Sequence, residues 1–372
     1  MVSRLQLSEV SAAFADLGTF LPLVVGLILI AGMHPVGILF GFGVFAVATG
    51  LFYRRPIPVQ PMKAVAAAGI AGIAGPEILV ASGLLLGATL LVLSQTDWIS
   101  TLKRLIPKTV LHGMRLALAV SLIATALGLS DVQILPLIVL GALLILVQLS
   151  FLKSISCLVI ILIGLLWLGE PIKIEHLDVS FSFPETALPS LDSIIVGLET
   201  LFLPQLALTL TNALILTAVI AQDYFPERAE TLSERQFAMT SGLANLLLSP
   251  FGAVPMCHGA GGVSAYYGMG SRNGVSIIIF GSVCLVIALF FGDYASLLMR
   301  AIPPEVTVTL VLFAAWVLAD PLKFLQVRPS CQMIIVLMIP LTLFGGLFLA
   351  LIGGTLLEHI RAKYYGAWVS GR

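Results

Sequence analysis

Apolar runs near the length of a bilayer-spanning helix follow one another from end to end of the chain. They fall at about 12–32, 37–53, 56–75, 77–93, 109–127, 134–152 and 156–168. After a polar stretch at 169–193 they resume at 194–222, 237–248, 250–270, 275–291 and 305–318. A last block, 331–357, is too long for one span and predicts two short helices hinged at Gly345-Gly346. The pattern predicts an all-α polytopic membrane protein with seven spans on either side of the polar stretch.

Two of these spans break the rules for a membrane helix. Pro56-Ile57-Pro58-Val59-Gln60-Pro61 carries proline at alternate positions, which excludes a helix interior and forces a short extended strand. Pro61 then suits the first turn of a helix running on from Met62. The second break, Ala253-Val254-Pro255-Met256-Cys257-His258-Gly259-Ala260-Gly261-Gly262, predicts extended backbone over 250–255 and a short helix from near 256–259. Non-helical backbone at membrane depth is tolerated only where it is buried in protein or lines a polar cavity.

The halves echo one another. Phe20-Leu21-Pro22 recurs as Phe202-Leu203-Pro204, Pro61-Met62 as Pro255-Met256, and Ile106-Pro107 as Ile302-Pro303, in order and at nearly constant offset. An odd number of spans per copy turns the second copy upside down, a recurring plan of secondary transporters. The first repeat is read as 1–168, an extracytoplasmic linker as 169–193 and the second repeat as 194–360.

Charge placement supports the count. With the N-terminus in the cytoplasm, 15 of the 19 Lys and Arg residues fall on the cytoplasmic side and two, Lys173 and Arg300, outside; Lys63 and Arg115 lie within spans. Both termini are therefore expected in the cytoplasm. The composition, 59% hydrophobic and 10% charged, excludes a soluble enzyme on an anchor. Only Arg4 precedes the first apolar run and no small-residue cleavage site follows it, so the first span is expected to stay in the mature protein. All four cysteines lie in or beside apolar segments, which argues against a disulfide framework.

The two breaks carry the candidate chemistry. Two helix N-termini meeting in mid-membrane would offer free N–H groups and partial positive charge to an anion. Lys63 adds a full charge and His258 a donor. The expected substrate-binding set is Gln60, Pro61, Met62, Lys63, Cys257, His258, Gly259, Ala260 and Gly261. Polar residues inside other spans are candidates by cost alone: Asp16 in the first span, and Gln205, Thr209, Thr211 and Asn212 in the eighth. Of these Asp16, Thr209 and Asn212 are read as coupling or supporting residues, with Asp16 leaning to a structural role, because a bare carboxylate beside an anion repels it. A soft-metal site at Met62, Met256, Cys257 and His258 is disfavoured: consecutive residues converge poorly on one ion and Lys63 repels cations. A Cys257–His258 nucleophile and base is disfavoured because helical neighbours point about 100° apart.

At these residues the chain resembles the MOT1 molybdate transporters, relatives of the sulfate permease (SulP) superfamily. The resemblance rests on Pro56–Lys63, on Pro255–Gly262, on Asp16-Leu17-Gly18-Thr19 and on Thr211-Asn212-Ala213. It departs at Tyr266, where the family has Gln, and at Ser271-Arg272-Asn273-Gly274, where it has Ala-Arg-x-Gly. The resemblance implies a seven-plus-seven inverted-repeat fold, with spans 1–4 and 8–11 as a core and spans 5–7 and 12–14 as a gate. It implies transport of molybdate by alternating access, without cofactor, metal or catalysis. Sulfate or another oxyanion is the alternative, since helix dipoles do not separate them. The expected partners are the oxyanion and membrane lipid, with no nucleic acid; a homodimer is left open. The cytoplasmic STAS domain that SulP relatives often carry is expected to be absent.

Overall fold

The computed structural model describes residues 7–29, 31–70, 74–99, 107–127, 132–150, 156–169, 181–186, 188–294, 303–319 and 321–365. Residues 170–180 and 187 of the expected linker, with Lys173, lie outside these residues, as do Arg300 and the side chain of Arg115. In the first half, α1 (Leu7–Ala12), α2 (Leu17–Leu29) and α3 (Pro35–Tyr53) precede a short strand β1 (Gln60–Pro61). Then come α4 (Lys63–Ile70), α5 (Pro76–Ser94), α6 (Lys108–Leu127), α7 (Ile134–Leu149) and α8 (Ser156–Leu168). In the second half a helical rod α9 (191–224) is followed by α10 (Glu234–Leu248), strand β2 (Met256–Cys257), α11 (Ala260–Gly268) and α12 (Val275–Phe290). The remaining helices are α13 (Pro304–Ala319), α14 (Pro321–Gln326) and α15 (Pro329–Tyr365).

The packing maps onto itself when the halves are exchanged. Helix α3 packs on α12 and α5 on α10, so the second span of each half meets the fourth of the other. The third spans meet through β1 and β2, and the fifth spans, α6 and α13, pack together. Glycine makes the two long contacts possible. A Cβ on Gly281 would come within 2.8 Å of the Gly43 carbonyl oxygen and the Val47 nitrogen, and one on Gly87 within 3.0 Å of the Gly242 carbonyl. Small residues that let backbones approach replace hydrophobic drive where the surroundings are themselves apolar. Outward faces are apolar too: on α7, Ile134, Leu135, Ile138, Ile145, Leu146 and Leu149 are all exposed.

Four elements differ from the sequence reading. The first span is broken by a turn at 13–16 into α1 and α2, and Asp16 sits at the start of α2, where its carbonyl accepts the Thr19 and Phe20 amides. The eighth span is continuous but contains two π-helical stretches, Leu198–Phe202 and Thr209–Leu216. Helix α4 starts at Lys63, not Met62, because Pro61 pairs in the strand. Helix α11 starts at Ala260, because Met256 and Cys257 are strand and Gly259 is extended (φ −138°, ψ 125°). In α15, backbone is helical from Pro329 to Tyr365, yet Arg361 Nη1 lies 3.4 Å from Ser330 Oγ and a Cβ on Gly353 would touch Leu341. A straight helix would put Arg361 and Ser330 roughly 46 Å apart at 1.5 Å per residue. The element therefore doubles back, with the contacting pairs centred near residue 346, at the Gly-Gly hinge expected from the sequence.

Polar ties join the halves at one end. Arg55 donates through Nη2 to Glu227 Oε1 at 2.6 Å and lies over the Phe225 ring. The Glu227 carboxyl is held below the usual carboxylate range, first by a backbone hydrogen bond and then by Arg55. Buried Glu9 of α1 accepts from Ser271 Oγ at 2.6 Å and from the Arg272 and Asn273 amides.

If backbone contact sets the α3–α12 spacing, Gly281→Val should destabilise the detergent-solubilised protein by about 1–3 kcal/mol. Gly141→Ala, where an added methyl meets nothing within 4 Å, should leave the melting temperature unchanged. A thermal melt of both variants checks this; equal stability would detach the glycines from the packing.

Candidate functional site

The site is built where two prolyl segments meet. Arg54, in the left-handed region at φ 53°, ends α3 with its amide on Gly50 O, and the chain turns into the extended run at 56–61. On the other side Gly252 (φ 75°) turns the chain out of the 3₁₀ turn Ser249–Phe251. The two runs pair antiparallel, Gln60 opposite Cys257 and Pro61 opposite Met256. The Met62 amide continues the ladder to Pro255 O at 2.8 Å. Asn245 supplies the outer edge: its side chain accepts from the Met256 amide at 2.8 Å and donates to Met256 O at 2.7 Å. Buried main-chain groups need partners, and a side-chain amide here does the work of a third strand.

The pairing brings the starts of α4 and α11 together. Between them lies a narrow cavity lined by Gln60, Pro61, Lys63, Gln205, Leu208, Asn212, Ala213 and Cys257, with room for little more than one water molecule. Lys63 and Cys257 enter it from opposite strands' ends, and α9 closes it with the π-helical segment that carries Asn212. π-Bulges widen a helix locally and recur at functional sites. Asn212 is buried and its Oδ1 has no hydrogen-bond partner. Gln205 Oε1 accepts the Val65 amide of α4's first turn at 3.3 Å, and its Nε2 donates to Thr209 Oγ1 at 3.0 Å.

Behind the cavity stands Asp16. Gln60 Nε2 donates to Asp16 Oδ2 at 2.6 Å, the Thr19 hydroxyl is a second donor to the same carboxylate, and Lys63 is close enough to act on its charge. The same oxygen abuts Gly262 in α11, where a Cβ would approach to 2.6 Å, and the Gln60 amide lies over Gly259. Tyr266, the departure from the expected Gln, donates its hydroxyl to Ala13 O at 3.1 Å and so braces the turn leading to Asp16.

Of the residues named from the sequence, Gln60, Pro61, Lys63, Cys257 and Asn212 share the cavity. Thr209 stands one hydrogen bond back, behind Gln205. Met62 is fully buried and does not reach it. His258 is a correction: it does not face the cavity. Its Nδ1 meets Pro58 O at 3.0 Å and its Nε2 Thr240 Oγ1 at 2.9 Å, and its ring packs among Phe45, Tyr53 and Phe237. With both nitrogens engaged it is a strut between the two breaks. Gly259, Ala260 and Gly261 form the cap and first turn of α11 behind the lining. Gln205, passed over among the site residues, is a lining residue; its polarity in an apolar span was the available signal. Leu208 carried none.

The family model described as "Molybdate transporter of MFS superfamily" matches residues 8–122 and 197–318. The chain is 29% identical to Molybdate transporter 2 of Arabidopsis thaliana over 84% of this chain and 78% of that protein. It is 25% identical to Molybdate transporter 1 of Chlamydomonas reinhardtii over 81% of each. In fold it is similar to the transmembrane domain of the cyanobacterial bicarbonate transporter BicA (TM-score 0.58, 15% identity, covering 96% of this chain and 98% of that one). It is likewise similar to the murine Slc26a9 anion transporter in its inward-facing state (TM-score 0.61, 12% identity, 99% and 70%). Those likenesses establish the seven-plus-seven inverted-repeat fold of an integral membrane protein. With the family model matching well over half of its length, the chain belongs to the molybdate transporter family.

Proposed function

We propose that the protein is a secondary transporter that imports molybdate, holding the dianion at the starts of α4 and α11 and exposing it alternately to the two sides. The observation that carries this is one cavity lined by Lys63, Gln60 and Asn212, whose buried Oδ1 has no hydrogen-bond partner. A tetrahedral dianion needs charge and several directional donors. Lys63 supplies the charge, Gln60 and Asn212 supply side-chain donors, and the first-turn amides of α4 and α11 add partial charge and N–H groups. A half-turn of the Asn212 amide presents Nδ2 in place of Oδ1. Pro61 and Cys257 form the wall, while Met62, His258, Gly259, Ala260 and Gly261 hold the two helix starts in place. The molybdate assignment follows the relatives named above.

The narrowness of the cavity supports a moving partner. Spans 1–4 and 8–11 act as a core that carries the site, and spans 5–7 and 12–14 act as a gate, with α13 packing against both α2 and α11. Both termini lie in the cytoplasm on the charge asymmetry, and a homodimer is the proposed assembly. No catalytic step is assigned to any residue.

Lys63→Ala should weaken molybdate binding by about ten- to a hundredfold, the equivalent of about 1.5–3 kcal/mol for a hydrogen bond to a charged group. Titration calorimetry on purified protein checks it, and an unchanged affinity removes Lys63 from the site. Asn212→Leu, which keeps the volume and deletes the polar group, should cost about 1–3 kcal/mol of binding while leaving the melting temperature within a degree or two. In a competition experiment molybdate and tungstate should displace bound radiolabelled molybdate, and sulfate only weakly; sulfate displacing it equally would reassign the substrate to oxyanions in general.

A further inference from the structure

The hydrogen bond between Gln60 and Asp16 serves no purpose in simple anion binding, and it points to a proton-linked switch. Gln60 lines the cavity while Asp16 stands outside its lining. The carboxylate is tied to the cavity lining by the Gln60 amide, at 2.6 Å from Nε2, and lies within reach of the Lys63 charge. An ionised carboxylate accepts and never donates, so an ionised Asp16 captures the amide's NH₂ edge. That leaves the carbonyl edge of Gln60, an acceptor, as the edge free to face an oxyanion. A protonated Asp16 reverses the pair: its O–H donates to Gln60 Oε1, and the amide turns over to offer its NH₂ to the cavity. Gly259 makes room for the turn, since the amide lies directly over its Cα and any side chain there would collide with it.

We propose that Asp16 is a positioning residue that couples proton uptake to anion binding by flipping the Gln60 amide, so that the protein carries a proton together with each oxyanion. The inference rests on the functional reading above. One proton adds to the Asp16 carboxylate from the side on which the anion enters, and the same proton leaves on the other side after release. No electrons move and no covalent bond to the anion forms. The charge balance favours the arrangement: a bare carboxylate one amide away repels a dianion, and protonation removes that repulsion as it supplies a donor.

The groups facing Asp16 define the alternatives. Gln60 and Pro58 face it from the first break, Lys63 from the start of α4, Thr19 from its own helix and Gly262 from α11. Lys63 is the other charged group among them, with Cys257 next to it across the cavity.

The test counts protons on the full-length purified protein in weakly buffered detergent with a pH indicator, with sodium molybdate as the probe. Binding should take up close to one proton per molybdate, and the affinity should fall by up to about tenfold per unit rise in pH through the titration. In Asp16→Asn, whose amide can donate to Gln60 Oε1 at every pH, proton uptake and the pH slope should both disappear. Molybdate binding by the wild type without proton uptake overturns the proposal and leaves the transporter reading standing. Proton uptake that survives in Asp16→Asn assigns the proton to Lys63 and also overturns it. Failure of the wild type to bind molybdate overturns both. Should Asp16→Asn not fold, Asp16→Ser, which likewise cannot titrate, takes its place in the same proton count, with uptake expected to disappear and surviving uptake overturning the proposal.

Discussion

Two residues of antiparallel ladder, Gln60–Pro61 against Cys257–Met256, are the constraint on which the rest of the structure depends. Extended backbone inside a membrane protein has peptide groups that neither water nor a helix can satisfy. Each break satisfies the other, and Asn245 satisfies what the other leaves over. Neither repeat completes this sheet alone, so the two halves of the chain must assemble for either break to be tolerated. The cost of the irregular backbone thereby becomes a reason for the halves to stay together.

What surrounds the ladder follows from that. Helices α3 and α12, and α5 and α10, approach closely enough for glycine carbonyls to meet neighbouring glycines, which clamps the strands from both sides. The His258–Thr240–Tyr53 chain of hydrogen bonds ties the second break to α10 and α3. Its aromatic surroundings keep it dry, which strengthens those bonds and makes an unmet one costly. The site is thus two short helix starts held by a hydrogen-bonded frame and closed by α9, whose π-helical segment carries Asn212.

Charge is rationed in the same way. Glu9, Asp16, Glu305 and Glu358 are buried, and each has donors: Glu9 the 271–273 loop, Asp16 the Gln60 amide, Glu305 the Gln133 amide and Glu358 the Arg361 guanidinium. Lys63 differs, for it sits at a helix start inside a cavity, beside Asn212 with its unpartnered carbonyl. A polar group left partly unmet inside a cavity beside a basic side chain marks where an external ligand fits.

The sequence by itself determined the number of spans, the duplication, and the two places where helix was forbidden, because proline spacing and apolar run length act locally. It also placed Lys63, Gln60 and Cys257 near one another, since the two breaks occupy matching positions in the repeats. The direction in which each side chain points was decided by tertiary structure. His258 is a donor by residue type, yet the aromatic packing of Phe45, Tyr53 and Phe237 turns it into the frame. Gln205 looks like one polar residue among several in its span, yet the rod's path sets it on the first turn of α4. The helix starts moved on, from Met62 to Lys63 and from 256–259 to Ala260, because strand pairing across roughly 195 positions, a non-local interaction, overrode the local preference of proline for a helical first turn.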